Sequence, residues 1–133
     1  MKETRILTID NRGRIVIPQI IRKSLGISEN SQLLVIADSD TKEMKITPVG
    51  LRGDSIKFRI TMNDQPGSLA KIATVFGNHG ISLVYGESTT IEKGKKALWT
   101  VIGPKPEDLD PEEFKKILMN EGDAVEVEII PIE

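Results

Sequence analysis

Basic side chains cluster near the start of the chain, between residues 10 and 27. Arg12 and Arg14 flank a glycine in the run Asp-Asn-Arg-Gly-Arg. Arg22 and Lys23 follow later in the same stretch. Guanidinium groups bind phosphates and guanine edges through paired hydrogen bonds, and an ammonium group binds phosphate as a point charge. The chemistry indicated is therefore recognition of a polyanion, with DNA phosphates and base edges as ligands. Arg5 adds a further basic side chain.

The distribution of charge agrees with this interpretation. The whole chain carries a formal net charge of −2. Residues 1–28 contain six basic against two acidic residues, whereas residues 51–133 contain ten against fourteen. A basic end joined to an acidic remainder is typical of a DNA-reading domain attached to a body that avoids nucleic acid. Chance unevenness of charge is the alternative.

Other kinds of chemistry find little support in the sequence. Cysteine is absent and there is one histidine, which excludes disulfides, thiolate metal sites and multi-histidine centres. Because no Ser/His/Asp set and no phosphate-binding glycine loop stand in a motif context, we expect no catalytic residues, no metal, no cofactor and no enzyme activity. No apolar run approaches a membrane span, and the first residues lack the centre of a signal peptide. A cytoplasmic location without membrane contact is therefore expected.

Short strands are expected to position the basic residues. Residues 4–9 and 14–17 have strand patterns on either side of the Asn-Arg-Gly turn, and residues 32–37 and 44–47 predict a hairpin. Residues 48–54 contain two glycines and predict a linker. About fifty residues with one short helix bury too little apolar surface to be stable alone. We therefore expect this head to fold as an intertwined dimer.

Residues 18–27 predict that one short helix. Pro18 favours a helix start, and Gly26 followed by Ile27 favours a left-handed helix end with an apolar contact. On a helical wheel the apolar residues form one arc, and Arg22 and Lys23 lie opposite. The helix should therefore present its cations outward.

The stretch from residue 10 to residue 27 resembles the AbrB/SpoVT-type swapped-hairpin family of DNA-binding domains, which includes MazE. The resemblance covers roughly residues 1–49, and it implies a swapped-hairpin β-barrel dimer that binds double-stranded DNA. The matching residues are Asp10, Gly13, Arg14, Ile17, Pro18, Arg22, Leu25, Gly26 and Ile27. The candidate DNA-binding residues are Arg5, Arg12, Arg14, Arg22 and Lys23.

The remainder of the chain predicts a second domain, over residues 55–133. Its expected elements are a strand at 56–62, a helix at 69–80, a hairpin at 81–90 and 96–102, a helix at 110–120 and a strand at 124–130. Asp110, Pro111 and Glu113 form a strong helix start. Strand–helix–strand–strand–helix–strand is the ferredoxin-like arrangement, so the fold class is α+β.

Two motifs in this half, Asp-Gln-Pro-Gly-Ser-Leu from residue 64 and His-Gly-Ile-Ser-Leu from residue 79, resemble those of ACT domains. The resemblance implies a regulatory domain that binds a small effector, usually an amino acid, at a dimer interface. By that resemblance the ligand-binding residues are Asn63, Asp64, Gln65, Gly67, Ser68 and Leu69, together with Gly80, Ile81 and Ser82 from the partner chain. Asp64 would pair with the ammonium group of the effector; its alternative role is to cap the following helix.

The combined prediction is a homodimeric or higher-order transcriptional regulator. Its domain at residues 1–49 would bind double-stranded DNA, and its domain at 55–133 would sense a small molecule or drive oligomerisation. One alternative is an antitoxin whose second domain neutralises a toxin, although such partners usually fold a flexible tail on the toxin. Another alternative is a regulatory subunit of an amino-acid biosynthetic enzyme, in which the head serves only for assembly.

Overall fold

The computed structural model describes residues 2–50 and 54–130, and it divides into two compact units after Gly50. The described residues form three helices and six strands, which confirms the α+β class. The elements of the first unit are α1 (Gln19–Leu25), β1 (Gln32–Asp38) and β2 (Glu43–Val49). Those of the second are β3 (Ser55–Met62), α2 (Ser68–Asn78), β4 (Tyr85–Glu92), β5 (Lys96–Pro104), α3 (Pro111–Glu121) and β6 (Glu126–Ile130).

The first unit contains one hairpin and one short helix. β1 and β2 pair antiparallel from Gln32 opposite Val49 to Asp38 opposite Glu43. Helix α1 ends at Gly26, whose φ of 68° is the left-handed conformation that the sequence predicted. β2 includes Pro48 and Val49, so the sheet takes the first two residues of the predicted linker, and residues 51–53 of that linker lie outside the described chain.

The strands predicted at residues 4–9 and 14–17 are wrong for the single chain. In the described part of the first unit these residues belong to no helix or strand, and no closed barrel is formed. The relative exposure of Ile6 is 98% and that of Val16 is 77%. A strand requires backbone hydrogen bonds from a neighbouring strand, and the hairpin β1–β2 does not supply them. The pattern of alternation is present, but the described residues form no strand that pairs with these segments.

The second unit is a four-stranded antiparallel sheet covered by two helices. The strand order is β4-β5-β3-β6, which is the ferredoxin-like arrangement expected from the sequence. β4 begins at Tyr85, four residues later than predicted, because residues 81–84 form a loop that crosses to the sheet edge. Leu83 in this loop packs close to Gly103 of β5, where an added Cβ would lie 3.1 Å from the leucine side chain.

Both helices pack on the same face of the sheet. Alternate residues of β3, from Ile56 to Met62, are buried on that face. The ring of Phe58 lies 5.9 Å from that of Phe76 in α2 and 5.8 Å from that of Phe114 in α3. These aromatic contacts, one edge-on and one tilted, pack the two helices against the central strand. Every buried apolar residue of the described chain belongs to this unit.

The end of α3 requires a glycine. A Cβ at Gly122 would lie 2.7 Å from the carbonyl oxygen of Leu118, a backbone atom that cannot move without opening the last helical turn. We predict that Gly122→Ala lowers the free energy of unfolding of the full chain by about 1–3 kcal/mol, as overpacking usually does. Urea unfolding monitored by circular dichroism measures this change.

Gly77→Ala is the matched control for this prediction. Gly77 lies inside α2 and has open space where a Cβ would be added. Alanine there should leave the stability unchanged or raise it by about 0.5–1 kcal/mol, because glycine loses more backbone entropy in a helix. Equal stabilities of the two variants would contradict the close approach at Gly122.

Candidate nucleic-acid interface and effector loop

The turn that carries Arg12 and Arg14 is organised by Asp10. One carboxylate oxygen of Asp10 accepts hydrogen bonds from the backbone N–H groups of Arg12 and Arg14, both at 2.9 Å. The other oxygen accepts from Nε of Arg14 at 2.8 Å. Gly13 has a φ of 75° and donates its N–H to the carbonyl of Asp10, so the turn depends on glycine at this position. The spacing of an aspartate before such a turn is the sequence signal for this arrangement.

This turn orients the side chain of Arg14. The side chain is 66% exposed and its Nε donates to Asp10, so a ligand would meet the two terminal guanidinium nitrogens. Arg12 is exposed in the same turn. Fixing a guanidinium before binding lowers the entropy lost when it meets its ligand. Asp10 was not predicted as a functional residue, yet it positions both arginines.

The hydrogen bonds to Asp10 also lower the pKa of its carboxyl group. The largest cause is the backbone N–H of Arg14, followed by that of Arg12, with the Arg14 side chain contributing less. Because the pKa of Asp10 is lower in the folded turn, its ionised carboxylate contributes its full stabilisation above the ordinary pKa of an aspartate. That stabilisation is lost as the pH falls through the lowered pKa. We predict that the amide NMR signals of Arg12 and Arg14 shift together in acid, with a midpoint below that ordinary pKa. A midpoint at or above it would contradict the turn.

Helix α1 carries two further candidate DNA-binding residues. Arg22 and Lys23 are exposed in its last turn, where positive charge also suits the carboxy-terminal end of a helix. Together with other residues they line an open groove of about 600 Å³. Arg5 is separate from these pairs in sequence, and its Nε lies 3.6 Å from a carboxylate oxygen of Glu3. The structure thus places Arg12 and Arg14 in one turn and Arg22 and Lys23 on one helix.

The candidate effector loop, residues 63–69, includes the first two residues of α2 and is hydrogen-bonded to the β4–β5 turn. The carboxylate of Asp64 accepts from the N–H of Gly94 at 2.8 Å, and the N–H of Asp64 donates to the carbonyl of Lys95 at 3.2 Å. Gln65 donates its side-chain amide to the carbonyl of Gly94 at 2.7 Å. We call these three hydrogen bonds the Asp64 clamp. They join two segments that are about thirty residues apart in sequence.

The helix-capping role considered for Asp64 is wrong. The cap residue of α2 is Gly67, with a φ of 86° and no side-chain cap, and the N–H of Ser68 donates to the carbonyl of Gln65. Asp64 is half-buried and directs its carboxylate to the hairpin turn instead. Asn63, Gln65, Gly67 and Leu69 are exposed, Leu69 by 39%. The loop therefore has exposed residues beside the carboxylate of Asp64, which already accepts one hydrogen bond from Gly94.

The second predicted segment lies at the other end of α2. Gly80 has a φ of 67°, Ile81 is buried with its N–H donated to the carbonyl of Phe76, and Ser82 is exposed. A helix of eleven residues is about 16 Å long. Within one chain, Asp64 and Ser82 therefore lie beyond opposite ends of α2.

Residues 2–50 and 54–130 contain neither a candidate metal site nor a candidate membrane span. That part of the chain holds no group of three or more His, Cys, Asp or Glu side chains that could bind a metal ion. None of its helices is long and apolar enough to cross a membrane.

Comparison with known proteins assigns both halves of the chain. Residues 6–60 match the family described as antidote-toxin recognition MazE, bacterial antitoxin, and residues 57–113 match the ACT domain family. The crystal structure of a formyltetrahydrofolate deformylase from Pseudomonas putida KT2440 has a similar fold, with a TM-score of 0.50 and 12% sequence identity. The similarity covers 59% of this chain and 29% of the deformylase, and at that identity it concerns the fold alone. No curated protein sequence matches the chain. The two family matches confirm the resemblances seen in the sequence: the chain joins a MazE-type amino-terminal domain to a carboxy-terminal ACT domain.

Proposed function

We propose that this protein is a DNA-binding transcriptional regulator rather than an enzyme. The observation that carries the proposal is the surface of the first unit. Arg12 and Arg14 are exposed on a turn built by Asp10, and Arg22 and Lys23 are exposed on α1. Double-stranded DNA offers phosphates and guanine edges that suit these groups. The acidic second domain would then stay clear of the DNA and act as the sensor.

The DNA-binding form is a homodimer or a higher oligomer in which two heads pair. None of the described residues of the first unit is buried, and large apolar side chains such as Ile6, Val16 and Met44 are exposed. Exposed apolar area of this extent in a folded protein marks an interface. We propose that residues 4–9 and 14–17 become strands by pairing with the second chain, which would form the swapped-hairpin barrel.

The second domain binds a small effector, and an amino acid is the proposed class. An amino acid carries an ammonium group, which the carboxylate of Asp64 can attract, and a carboxylate, which suits free N–H groups of a loop. The exposed residues of the 63–69 loop and Ser82 of the second chain would complete the site. The ACT match supports this proposal.

DNA binding is tested by replacing the two best-placed arginines in the full chain. We expect Arg14→Ala and Arg22→Ala each to weaken binding of operator DNA selected in vitro. If the lost contact is to phosphate, the slope of log affinity against log salt should flatten by about 1.8, because each chain of a dimer loses one contact worth about 0.9. If it is to a base, discrimination against random DNA should fall by about 1–3 kcal/mol per site.

Lys116→Ala is the control for charge alone. It removes one exposed positive charge per chain from α3 in the second domain. Its DNA affinity and salt slope should equal those of the unmodified protein. Fluorescence anisotropy with selected and random duplexes over a salt series measures all three variants. Unchanged binding by both arginine variants would reject the DNA-binding role.

An antitoxin is the second candidate, and the MazE match favours it. Antitoxins of that class use a disordered segment that folds on the toxin. Here the residues after the head form a sheet with its own buried core, which favours a sensor domain. Copurification, at a fixed ratio, of a partner whose toxicity to the native host this protein neutralises would support the antitoxin.

A further inference from the structure

An open groove runs along α1, and its lining includes a residue so far without a role. The groove is lined by Gln19, Arg22, Lys23, Ile27, Ser28 and Glu29. Gln19 is the first residue of α1, and it is exposed. Residues three and four positions apart lie on the same side of a helix, with Cβ atoms about 5–6 Å from each other. Gln19 therefore stands beside Arg22 and Lys23 on the outer side of the helix.

The chemistry of this groove differs from that of a simple phosphate site. It combines the guanidinium of Arg22 and the ammonium of Lys23 with the neutral amide of Gln19 and the carboxylate of Glu29. A carboxylate repels phosphate, whereas a glutamine amide offers a donor and an acceptor side by side. That pair matches N7 and the N6 amino group of adenine in the major groove. This combination of cationic, amide and carboxylate side chains suits DNA base edges better than it suits the DNA phosphates alone.

The side chain of Gln19 neither caps α1 nor forms a hydrogen bond with another described residue. The cap residue of α1 is Pro18, and no side chain caps this helix. Among the described residues none forms a hydrogen bond with the amide of Gln19. Its side chain is therefore available to a ligand.

We propose that Gln19 is a specificity-determining residue that reads an adenine in the major groove, next to the phosphate or guanine contacts of Arg22 and Lys23. This inference rests on the proposed DNA binding by the head. Every half-site of a dimer would contain one such adenine, since two-fold symmetry repeats the contact.

The test begins with sequence selection from random duplexes by the full-length protein. Affinities of Gln19→Ala for the selected duplex, for a version with the adenine pair replaced and for random DNA are then measured. Loss of a paired glutamine–adenine contact should reduce discrimination by about 5- to 150-fold per half-site. Binding to random DNA and the salt slope should stay unchanged, because a neutral side chain releases no counterions.

Two further variants separate base reading from other roles. Gln19→Glu keeps the shape and the helix propensity of the side chain but leaves it only acceptors, so its preferred base should change from adenine towards cytosine. Thr41→Ala is the control, since it removes an exposed polar side chain in the β1–β2 turn, outside the groove. Its discrimination should equal that of the unmodified protein.

The outcomes distinguish this inference from the function on which it rests. If the unmodified protein shows no preference for any duplex, the proposed DNA reading fails and Gln19 has nothing to read. If the unmodified protein is selective and Gln19→Ala keeps the same ratio, the inference alone is overturned. Equal loss on selected and random DNA also overturns it, because that result indicates a backbone contact. Relaxed choice at one base pair per half-site supports it.

Discussion

Sedimentation of the full chain should give a dimer or a larger oligomer at micromolar concentration, and Val16→Glu should dissociate the head. In a single chain this change would be almost neutral, because Val16 is 77% exposed and exposed substitutions rarely exceed about 0.5 kcal/mol. In a paired head the new carboxylate would be buried without a partner. Such a charge costs about 3–5 kcal/mol, which weakens the dimer by more than about 100-fold.

Met119→Glu is the matched control for dimerisation. Met119 is also an exposed apolar residue, at 39%, but it lies on α3 in the second domain. This variant should sediment like the unmodified protein and keep its DNA affinity, whereas Val16→Glu should lose both. A Val16→Glu protein that keeps both the original oligomeric state and the original DNA affinity would contradict strand pairing by the head.

The ACT domain could be predicted in detail because its signals are local. The alternation of β3 from Ile56 to Met62 marks one buried face, and both helices reach that face through Phe76 and Phe114. Asp110 caps α3 by accepting from the N–H of Glu112, as its position before a proline predicted. Each of these features depends on neighbours in sequence and on one amphipathic pattern.

The head could be predicted only in part, because two of its predicted strands have no pairing partner among the described residues. The left-handed end of α1 at Gly26 is local and follows from the sequence. Residues 4–9 and 14–17 have strand alternation, but a strand is defined by its hydrogen-bonded neighbour, and the single chain provides none. The alternation in sequence therefore predicts strands that only the proposed pairing of two heads would form.

Asp64 illustrates what no local pattern reveals. Its place before Pro-Gly suggested either a helix cap or a ligand contact, and both are interactions within a few residues or with an effector. The structure shows its carboxylate on the N–H of Gly94, which lies thirty positions away. A hydrogen bond to a hairpin turn depends on how the sheet folds, and a single sequence carries no signal for it. The same carboxylate would thus hold the turn and attract the effector.

Effector binding and DNA binding should be coupled, and Asp64 variants can separate the coupling from stability. If a ligand bridges two ACT domains, it changes the separation of the two heads, and a two-fold protein reads half-sites at a fixed separation. The expected coupling of about 1–3 kcal/mol corresponds to about 5- to 150-fold in operator affinity. Linkage requires that operator DNA change effector affinity by the same factor. Isothermal titration with each amino acid, with and without operator, measures both.

Asp64→Asn and Asp64→Ala should behave differently. Asparagine keeps an oxygen for the N–H of Gly94 but removes the charge that an ammonium group needs. It should therefore lose the effector response while keeping the free energy of unfolding. Alanine removes the oxygen as well, so it should lose the response and also about 1 kcal/mol of stability, the usual net value of one hydrogen bond. DNA affinity without effector should stay unchanged in both variants, because Asp64 lies in the other domain.

The asparagine variant is the sharper of the two, since it leaves the Asp64 clamp in place. If it still responds to the effector like the unmodified protein, the charge of Asp64 takes no part in ligand binding and the clamp is its whole role. If a ligand binds the unmodified protein with the same affinity in the presence and absence of operator DNA, the ACT domain is an oligomerisation module and not a switch. A response lost in Asp64→Asn with its urea midpoint unchanged would instead assign the carboxylate to the effector, because stability and signalling would then depend on different properties of the same side chain.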